Sequence, residues 1–351
     1  MSGNVFGHIL RVSTFGESHG KGVGVVVDGF PPGMELSEAD VQVQLNRRKP
    51  GQSAVSTPRE EADRISFLSG IFEGRTTGTP IAMLLMNTNT RSEDYNTILD
   101  KFRPGHADYT YQEKYGFRDW RGSGRASGRE TAARVAAGAA ARKWLEQRGV
   151  KILAWTAAAA GISCETFNEH CIESNPLRAC DPEAAKKMEA RVEQLREQGD
   201  SAGGIVACRV TGLPSGLGDP VFDKLEAELG KGILSIGAVR GIEFGAGFAA
   251  AEMTGSEHND PMDSNGFQSN SAGGILGGIS TGQNVEFRLA VKPTSSISRP
   301  QTTRNMNGET VRIVTEGRHD PVICPRIVPV VEAMTALVLM DRWLIQQTLR
   351  S

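Results

Sequence analysis

The chain has 351 residues, 39% of them apolar, and a formal net charge of −2. This apolar content is sufficient for a large buried core, and the near-neutral charge argues against a general nucleic-acid or membrane-surface protein. The first residues show no secretory signal, and the apolar stretch 327–340 is too short for a bilayer span. The five cysteines include no C-x-x-C pair, which argues against a disulfide framework or a zinc site. We therefore expect a cytoplasmic protein that binds no metal, nucleic acid or membrane.

A short motif near the start of the chain suggests a nucleophilic serine. Residues 16–20 read G-E-S-H-G and match G-x-S-x-G, the nucleophile elbow of serine hydrolases. A working elbow needs a strand before the serine and a helix after it. The stretch 8–15 is strand-like, but 22–28 is rich in β-branched residues and predicts a second strand. The hydrolase interpretation is therefore disfavoured, and the role of Ser18 beside His19 stays open at this point.

The remaining elements follow in irregular order along the chain. Further strands are predicted at 80–86, 150–156, 204–211, 284–291 and 310–315. Helices are predicted at 37–47, 130–148, 183–198, 219–231 and 325–348. The order lacks regular alternation of strand and helix, so it predicts an α+β fold with antiparallel sheets packed with helices in a β-α-β sandwich.

Two pairs of glycine-containing segments indicate an internal repeat. Residues 27–34 resemble 210–217, and residues 70–78 resemble 274–282, in the same order. Chance similarity between short segments is the alternative. Because both matches keep their order and no linker divides the chain, we expect one compact unit made of two related halves, at about 1–150 and 151–351.

Arginines are concentrated in loops that also contain glycine and hydroxyl residues. The segment 121–130 reads R-G-S-G-R-A-S-G-R-E and leads into a predicted helix, so free N–H groups and the helix dipole would add to the guanidinium charges. Residues 47–49, 292–296 and 317–321 add further cations. This pattern favours a small ligand with several anionic groups. Two alternatives are a solvated helix end at 47–49 and a nucleic-acid-binding tract at 121–130. The chain has few aromatic residues on which bases could stack, which argues against the nucleic-acid-binding tract.

Three histidines lie in glycine-rich loops beside a polar or anionic neighbour. His19 follows Ser18, His106 lies in R-P-G-H-A-D at 103–108, and His319 precedes Asp320. Loop histidines of this kind are typical of acid–base sites, although a lone histidine is more often structural.

Five of these segments together carry a family resemblance. F-G-E-S-H-G at 15–20, R-P-G-H-A-D at 103–108, G-R-A-S-G-R-E at 124–130, K-P-T-S-S at 292–296 and G-R-H-D-P at 317–321 resemble, in order, the motifs of the chorismate synthase family. The resemblance implies a lyase that removes phosphate and a proton from 5-enolpyruvylshikimate 3-phosphate by 1,4-anti elimination and gives chorismate. It implies reduced FMN as cofactor without net redox change, NADPH as a possible reductant, and a homotetramer.

The resemblance also implies roles for individual residues. His19 would protonate the departing phosphate with Ser18 beside it, His106 would stabilise the reduced flavin, and Asp320 would assist proton removal from the substrate ring. The residues expected to hold substrate anions are Arg48, Ser127, Arg129 and Arg318. The residues expected to contact FMN are Arg48, Arg125, Ala126, Ser127, Gly237, Ala238, Gly277, Lys292, Pro293, Thr294, Ser295, Ser296 and Arg318.

Two positions depart from the family pattern. Gly237 stands where Asn is usual, and Ala54 stands where Arg is usual, which removes one expected anion ligand. Arg59 is the nearest cation that could compensate for Ala54. The alternative function is a flavin- or anion-binding protein without catalysis, which leaves the two loop histidines and Asp320 unexplained.

Overall fold

The structure is a computed structural model that describes residues 3–51, 62–88, 98–315 and 319–349. Its strands are β1 (Val5–Phe6), β2 (Arg11–Gly16), β3 (Gly22–Asp28), β4 (Ile65–Phe67), β5 (Ile71–Phe72), β6 (Arg75–Thr76), β7 (Ile81–Met86), β8 (Lys151–Ala159), β9 (Ile162–Ser163), β10 (Gly204–Thr211), β11 (Val239–Phe244), β12 (Met262–Asp263), β13 (Gly266–Phe267), β14 (Ile275–Leu276), β15 (Ile279–Ser280), β16 (Val285–Val291), β17 (Gln301–Arg304) and β18 (Thr310–Ile313). Its α-helices are α1 (Glu38–Arg48), α2 (Asp108–Tyr115), α3 (Thr131–Glu146), α4 (Pro182–Glu197), α5 (Leu225–Leu234), α6 (Gly255–His258) and α7 (Cys324–Leu349).

Two antiparallel sheets of five strands each form the framework. Their strand orders are β1-β2-β3-β7-β4 and β11-β16-β10-β8-β9, and four short hairpins complete the strands. Helix α3 packs on the first sheet, α7 packs on the second, and the two helices contact each other. The predicted α+β class with antiparallel sheets and packed helices is therefore confirmed.

Small side chains let the two central helices approach closely. Helix α3 is rich in buried alanines, and a Cβ at Gly138 would collide with the backbone of Ala333 in α7. On the first sheet, alternate residues of β3 point inward, so Val23, Val25 and Val27 are fully buried. Within the described ranges, no helix is both long and apolar enough to cross a membrane.

Most predicted elements are present, with some boundaries wrong. The helix predicted at 219–231 begins only at Leu225, because the preceding residues form a turn in which Asp219 N–H donates to the Asp223 carbonyl at 3.2 Å. The strand predicted at 8–15 begins at Arg11, because the three preceding N–H groups donate to the carboxylate of Asp341. The sequence patterns did not predict β4, β11 or α2.

Equivalent turns in the two halves have the same hydrogen bonds. In the β5–β6 hairpin of the first half, Thr76 Oγ1 donates to Pro31 O at 2.7 Å, and in the β14–β15 hairpin of the second half, Ser280 Oγ donates to Pro214 O at 2.7 Å. The order β2-β3-β7-β4 in one sheet corresponds to β8-β10-β16-β11 in the other. The hydrogen-bonded turn residues lie in the segments whose sequences resemble each other, 27–34 with 210–217 and 70–78 with 274–282. We propose that the halves derive from one duplicated unit.

Candidate active site

The G-E-S-H-G motif forms the turn between β2 and β3. Gly20 N–H donates to Glu17 O at 3.1 Å, and the side-chain amide of Asn87 donates to the carbonyls of both residues at 2.9 Å. The predicted strand–turn–strand arrangement is confirmed. No helix follows Ser18 in this hairpin, so the nucleophile-elbow geometry is missing.

Ser18 and His19 are fixed against the loop that precedes α3. Ser18 is buried, its Oγ donates to Gly122 O at 2.8 Å, and it lies 3.1 Å from Nδ1 of His19. Because the single hydroxyl proton is directed to a carbonyl, Ser18 Oγ is the acceptor for an N–H at Nδ1 of His19. A Cβ at position 122 would collide with the imidazole of His19, so glycine is needed there. The hydroxyl orients the histidine and is not prepared for nucleophilic attack.

Arg48 and Arg129 share one buried carboxylate, that of Asp63, and we name these three residues the Asp63 cluster. Arg48 Nη2 lies 2.5 Å from Asp63 Oδ2, and Arg129 Nη1 donates to Asp63 Oδ1. Arg129 Nε also donates to Asn87 Oδ1 at 2.8 Å, which links the cluster to the turn that holds His19. Two residues predicted to bind anions are thus brought together.

The electrostatics of the Asp63 cluster leave a surplus of positive charge. Burial lowers the pKa of Arg48 to about 10, and the charges of Arg326 and Arg129 add to this effect while Asp63 opposes it. Burial raises the pKa of Asp63, but Arg48 and Arg129 outweigh burial and hold that pKa below its ordinary value. Asp63 is therefore ionised, and one carboxylate faces two guanidinium groups.

His106 belongs to a second network, centred on Arg103. Arg103 binds both carboxylate oxygens of Asp108, at 2.7 and 2.8 Å, and donates to Ser123 Oγ at 2.5 Å. Nδ1 of His106 lies 3.1 Å from Asp108 Oδ1 and 3.2 Å from Arg103 Nη2. Burial lowers the pKa of His106, with Asp108 opposing and Arg103 and Lys292 adding to the decrease. His106 is therefore neutral at neutral pH.

Two consecutive residues connect the two histidines. Gly122 contacts Ser18 and His19, and Ser123 contacts the Arg103 that lies against His106. Residues 122, 123 and 124 have φ values of 55°, 74° and 51°, in the left-handed region that a serine rarely adopts. The loop therefore lies against His19 through Gly122 and against Arg103, the neighbour of His106, through Ser123.

The 292–296 turn joins three of the predicted loops. Lys292 Nζ donates to Gly105 O at 2.6 Å, and Thr294 Oγ1 donates to Asp320 O at 2.8 Å. The N–H of Lys292 donates to Ala238 O at 2.9 Å. Among the residues that the structure describes, no carboxylate pairs with Lys292, and burial and Arg240 lower its pKa. This lysine is a cation available to an anionic ligand.

Asp320 lies at the edge of the same region. Its carboxylate lies 2.5 Å from Arg326 Nη1, and the side chain is buried. The neighbouring His319 is partly buried, and burial, followed by the charge of Arg103, lowers its pKa to about 4. His319 is therefore neutral at physiological pH.

Other predicted ligands lie in less connected positions. Arg125 donates to Thr14 Oγ1 at 2.7 Å, Ala126 follows it in a short 3-10 helix, and Ser127 Oγ accepts from Arg129 N–H at 3.3 Å. Gly237 is exposed, and Gly277 occupies the tip of the β14–β15 hairpin, with no hydrogen bond to the other predicted site residues in the described part of the chain. Of the remaining predicted residues, Pro293 and Ser296 lie in the 292–296 turn, while Arg318, Ala54 and Arg59 lie outside the described residues.

The structure adds site residues that sequence interpretation missed: Asp63, Asn87, Arg103, Asp108, Gly122 and Ser123. Arg103 and Asp108 belong to the motif around His106, so their proximity in sequence was a usable signal. Asp63 and Asn87 carry no local signal, because their partners are distant in sequence. In the described ranges, no group of His, Cys, Asp and Glu side chains could hold a metal ion.

Comparison with known proteins identifies the family. The sequence model described as chorismate synthase matches residues 10–344. The chain belongs to the chorismate synthase family. It is 55% identical to the chorismate synthase of Syntrophobacter fumaroxidans over 97% of both chains, and 53% identical to that of Roseiflexus castenholzii over 100% of this chain and 99% of the relative.

A solved structure of a chorismate synthase has the same fold. That crystal structure superimposes with a TM-score of 0.77 and 30% identity, covering 97% of this chain and 93% of the other. Chorismate synthases are lyases, so the family predicted from five separated motifs, its enzyme class and its mixed fold are all confirmed.

Proposed function

We propose that the chain converts 5-enolpyruvylshikimate 3-phosphate into chorismate by 1,4-anti elimination of phosphate and a proton. The observation that supports this most directly is the loop 122–123, which holds His19 on one side and the Arg103–His106 network on the other. Two histidines from distant motifs are thereby fixed beside buried arginines. The proposed substrate carries a phosphate and two carboxylates, which suits the cation surplus of this region.

The leaving phosphate needs a proton and fixed positive charge. Nδ1 of His19 faces Ser18 Oγ at 3.1 Å, so a doubly protonated His19 would donate the proton of Nε2 to the phosphate oxygen. Arg48 and Arg129 supply charge that does not titrate near neutral pH. Ser127, which caps the N–H of Arg129, would contribute a hydroxyl to the same anion. Ser18 fixes the imidazole and takes no covalent role.

We assign assistance in removal of the ring proton to Asp320. Asp320 is held by Arg326 and by the 292–296 turn, so its carboxylate has a defined position. The carboxylate would assist proton removal after the substrate anions are bound.

The residues present suit a bound FMN. Within the described ranges, Lys292 Nζ donates only to neutral oxygens, those of Gly105 and Ser295, so its charge can meet the flavin phosphate or a flavin carbonyl. Arg125, Ala126, Arg48, Ser127, Gly237, Ala238, Gly277, the rest of 292–296 and Arg318 are the further proposed contacts. Reduced FMN would supply electron density as the C–O bond breaks. Neutral His106 would donate a hydrogen bond to the ring system, where an imidazolium is disfavoured by burial.

We also propose an oligomeric state, a cellular compartment and a source of reducing equivalents for the enzyme. The chain works as a homotetramer in the cytoplasm, and either NADPH or an outside reductase keeps the flavin reduced. Light scattering of the purified protein measures the assembly, and NADPH oxidation in the presence of FMN alone distinguishes the two reductant sources.

An anaerobic assay tests the proposed activity. With FMN reduced once and oxygen excluded, we expect many chorismate molecules for each flavin, because the elimination has no net redox change. With oxidised FMN we expect none. Consumption of one NADPH for each chorismate without oxygen would contradict the proposed role of the flavin. Tight FMN binding without turnover would instead favour the non-catalytic alternative.

Substitutions at the two histidines test the assignment of roles. His19→Ala and His106→Ala should each lower turnover by about 10²–10⁴-fold, the usual contribution of a positioned acid or base. Ser18→Ala should leave a measurable rate. His170→Ala is the matched control, because this histidine is exposed in the 3-10 helix Glu169–Ser174. Normal turnover in His19→Ala would show that this histidine is structural.

A further inference from the structure

The side chain of Asn87 contacts both the turn that carries the proposed proton donor and an arginine proposed to bind the substrate anions. Asn87 directly follows β7, and it is partly buried. Its Nδ2 donates to Glu17 O and to Gly20 O, both at 2.9 Å. Its Oδ1 accepts from Arg129 Nε at 2.8 Å. The proposed reaction assigns no role to this residue.

The chemistry of the partners determines the orientation of the Asn87 amide. A carboxamide has one acceptor oxygen and one nitrogen with two hydrogens to donate. The reversed orientation would place the oxygen against two carbonyl oxygens and the nitrogen against the guanidinium of Arg129, a group that only donates. Asn87 therefore uses both amide hydrogens on the turn and its oxygen on the arginine.

The contacts to the turn hold the backbone on both sides of His19. Glu17 and Gly20, whose carbonyls accept from Asn87 Nδ2, flank the pair Ser18 and His19. The backbone N–H of Asn87 also donates to the carbonyl of residue 21 at 3.0 Å. Three hydrogen bonds from one residue thus fasten the turn to the end of β7.

The contact to Arg129 orients a guanidinium group without cancelling its charge. Arg129 Nη1 donates to Asp63, and its Nη2 donates to Met86 O at 3.4 Å. Asn87 occupies the remaining Nε–H with a neutral oxygen. A carboxylate at position 87 would instead form an ion pair with Arg129 and reduce the attraction for an anionic ligand. The amide therefore fixes the direction of the guanidinium and preserves the surplus of positive charge.

We propose that Asn87 is a positioning residue that sets the place of His19 relative to Arg129, a role that rests on the proposed function. The leaving phosphate has to be held by a cation and protonated in one geometry, and a misplacement of about 1 Å costs about 10²-fold in rate. One neutral side chain that binds both the turn and the arginine maintains this geometry. Asn87 acts through His19 and Arg129, and it transfers no proton itself.

Asn175 provides a matched control in the second half of the chain. Its Nδ2 donates to Cys171 O at 2.6 Å and to Ala179 O at 2.9 Å, and its Oδ1 accepts from Leu177 N–H at 3.1 Å. Asn175 is partly buried, as Asn87 is, but its three partners are not among the residues assigned to the site. Asn175→Ala removes a similar set of hydrogen bonds, so it should lower the midpoint of urea unfolding and leave kcat and KM unchanged.

The main test compares Asn87→Ala in two backgrounds, with the full chain, reduced FMN and saturating substrate under anaerobic conditions. In the unsubstituted background, Asn87→Ala should lower kcat about 10–100-fold. In the His19→Ala background, the same substitution should change kcat by less than about twofold, because its effect on kcat passes through the imidazole. Equal factors in the two backgrounds would overturn the proposal, since a merely structural loss would be additive.

Asn87→Asp separates the two contacts of the side chain. The carboxylate has nearly the same shape and still accepts from Arg129, but it has no hydrogen to donate to the turn. We expect kcat to fall as in Asn87→Ala, and KM to rise about tenfold above that of the Ala variant, because the new charge pairs with Arg129. An unchanged kcat in the folded Asp variant would refute the positioning role, and this variant decides the question if Asn87→Ala does not fold.

Failure of this inference is distinguishable from failure of the proposed function. Absence of turnover in the unsubstituted chain, or a normal kcat in His19→Ala, would contradict the proposed function and this inference with it. An active chain in which His19→Ala is impaired and Asn87→Ala is normal would contradict only the role of Asn87.

Discussion

Arg47 and Arg48 are consecutive residues at the end of α1, yet they enter two different buried ion clusters. Arg48 and Arg129 share the carboxylate of Asp63, and Arg47 and Arg142 share the carboxylate of Glu332. We name Arg47, Arg142 and Glu332 the Glu332 cluster. Each cluster has the same core arrangement, one carboxylate between two guanidinium groups, and the surroundings determine what each one does.

Charge is balanced in the Glu332 cluster. Arg47 also pairs with Glu173 at 2.6 Å, Arg142 pairs with Glu146 at 2.8 Å, and Glu332 accepts from Ala154 N–H at 3.0 Å. Burial lowers the pKa of Arg47, but the carboxylates of Glu332 and Glu173 outweigh it and raise that pKa overall. The cluster joins α1, α3, α7 and β8, and it therefore connects the two sheets.

Charge is not balanced in the Asp63 cluster. Its arginines have no second carboxylate among the described residues, and the pKa of Arg48 is lowered by burial and by neighbouring cations. Arg129 donates to the side chain of Asn87, which in turn donates to the carbonyl of Glu17 in the turn that holds His19. Similar triads thus serve different purposes: the balanced one holds helices and sheet together, and the unbalanced one can accept an anion.

The largest expected effect is on stability, in the Glu332 cluster. Glu332→Gln removes the buried carboxylate that two partly buried guanidinium groups share, and removing one partner of a buried ion pair costs about 3–5 kcal/mol. Urea unfolding should show this loss, while the KM of the folded enzyme stays unchanged. Glu146→Gln is the matched control, because it removes an exposed partner of Arg142 and should cost at most about 1 kcal/mol. A large rise in KM in Glu332→Gln would break the distinction between the clusters.

The adjacent arginines offer the next comparison. Arg48→Lys keeps the positive charge but loses the planar group that binds Asp63, so we expect the KM for substrate to rise about 10–100-fold, equivalent to about 1.5–3 kcal/mol. Arg47→Lys, one residue earlier, should lower the midpoint of unfolding and leave KM unchanged. Steady-state kinetics and urea unfolding of both variants measure the two effects. Equal changes in KM in the two variants would mean that the two clusters do not differ in their effect on substrate binding.

The smallest effect is expected in acid. The pKa of Asp63 is depressed in the folded chain, so its contribution to stability is fully present above its ordinary pKa of 3.8 and is lost as the pH falls through the depressed value. Between these two values the free energy of unfolding should decrease with acidification. Asp63→Asn has no carboxyl to titrate and should show a shallower decrease. Urea unfolding at a series of acidic pH values makes the comparison, and parallel curves would indicate that Asp63 is not held by its arginines.

The sequence predicted local features well where the pattern is contained within one segment. Residues 22–28 are rich in β-branched side chains, so the strand was predicted from the chain alone, and Val23, Val25 and Val27 form its buried face. The turn at 16–20 was identified because β-branched residues, and not a helical pattern, follow it. Helix α1 was predicted within one residue at each end, since Ser37 accepts from Asp40 N–H as a capping residue and the basic residues lie in the last turn.

Prediction failed where a distant part of the chain decides the local structure. Residues 8–10 look like a strand, but their N–H groups donate to Asp341 in α7. Helix α5 starts late because Leu225 N–H donates to Gly278 in a hairpin that follows it by about fifty residues. Propensity in a window cannot detect a hydrogen-bond partner that only folding brings near.

The sequence by itself determined the family, the mixed fold and the loops that carry histidine, arginine and hydroxyl groups, because each of these is encoded by residues that are neighbours in the chain. Only the tertiary structure decided that Gly122 and Ser123 face two histidines at once and that Arg47 and Arg48 enter separate clusters. Charges act over a few ångströms in space and do not depend on separation along the chain. The partners of the arginines, and hence the cation surplus near His19, follow from packing alone.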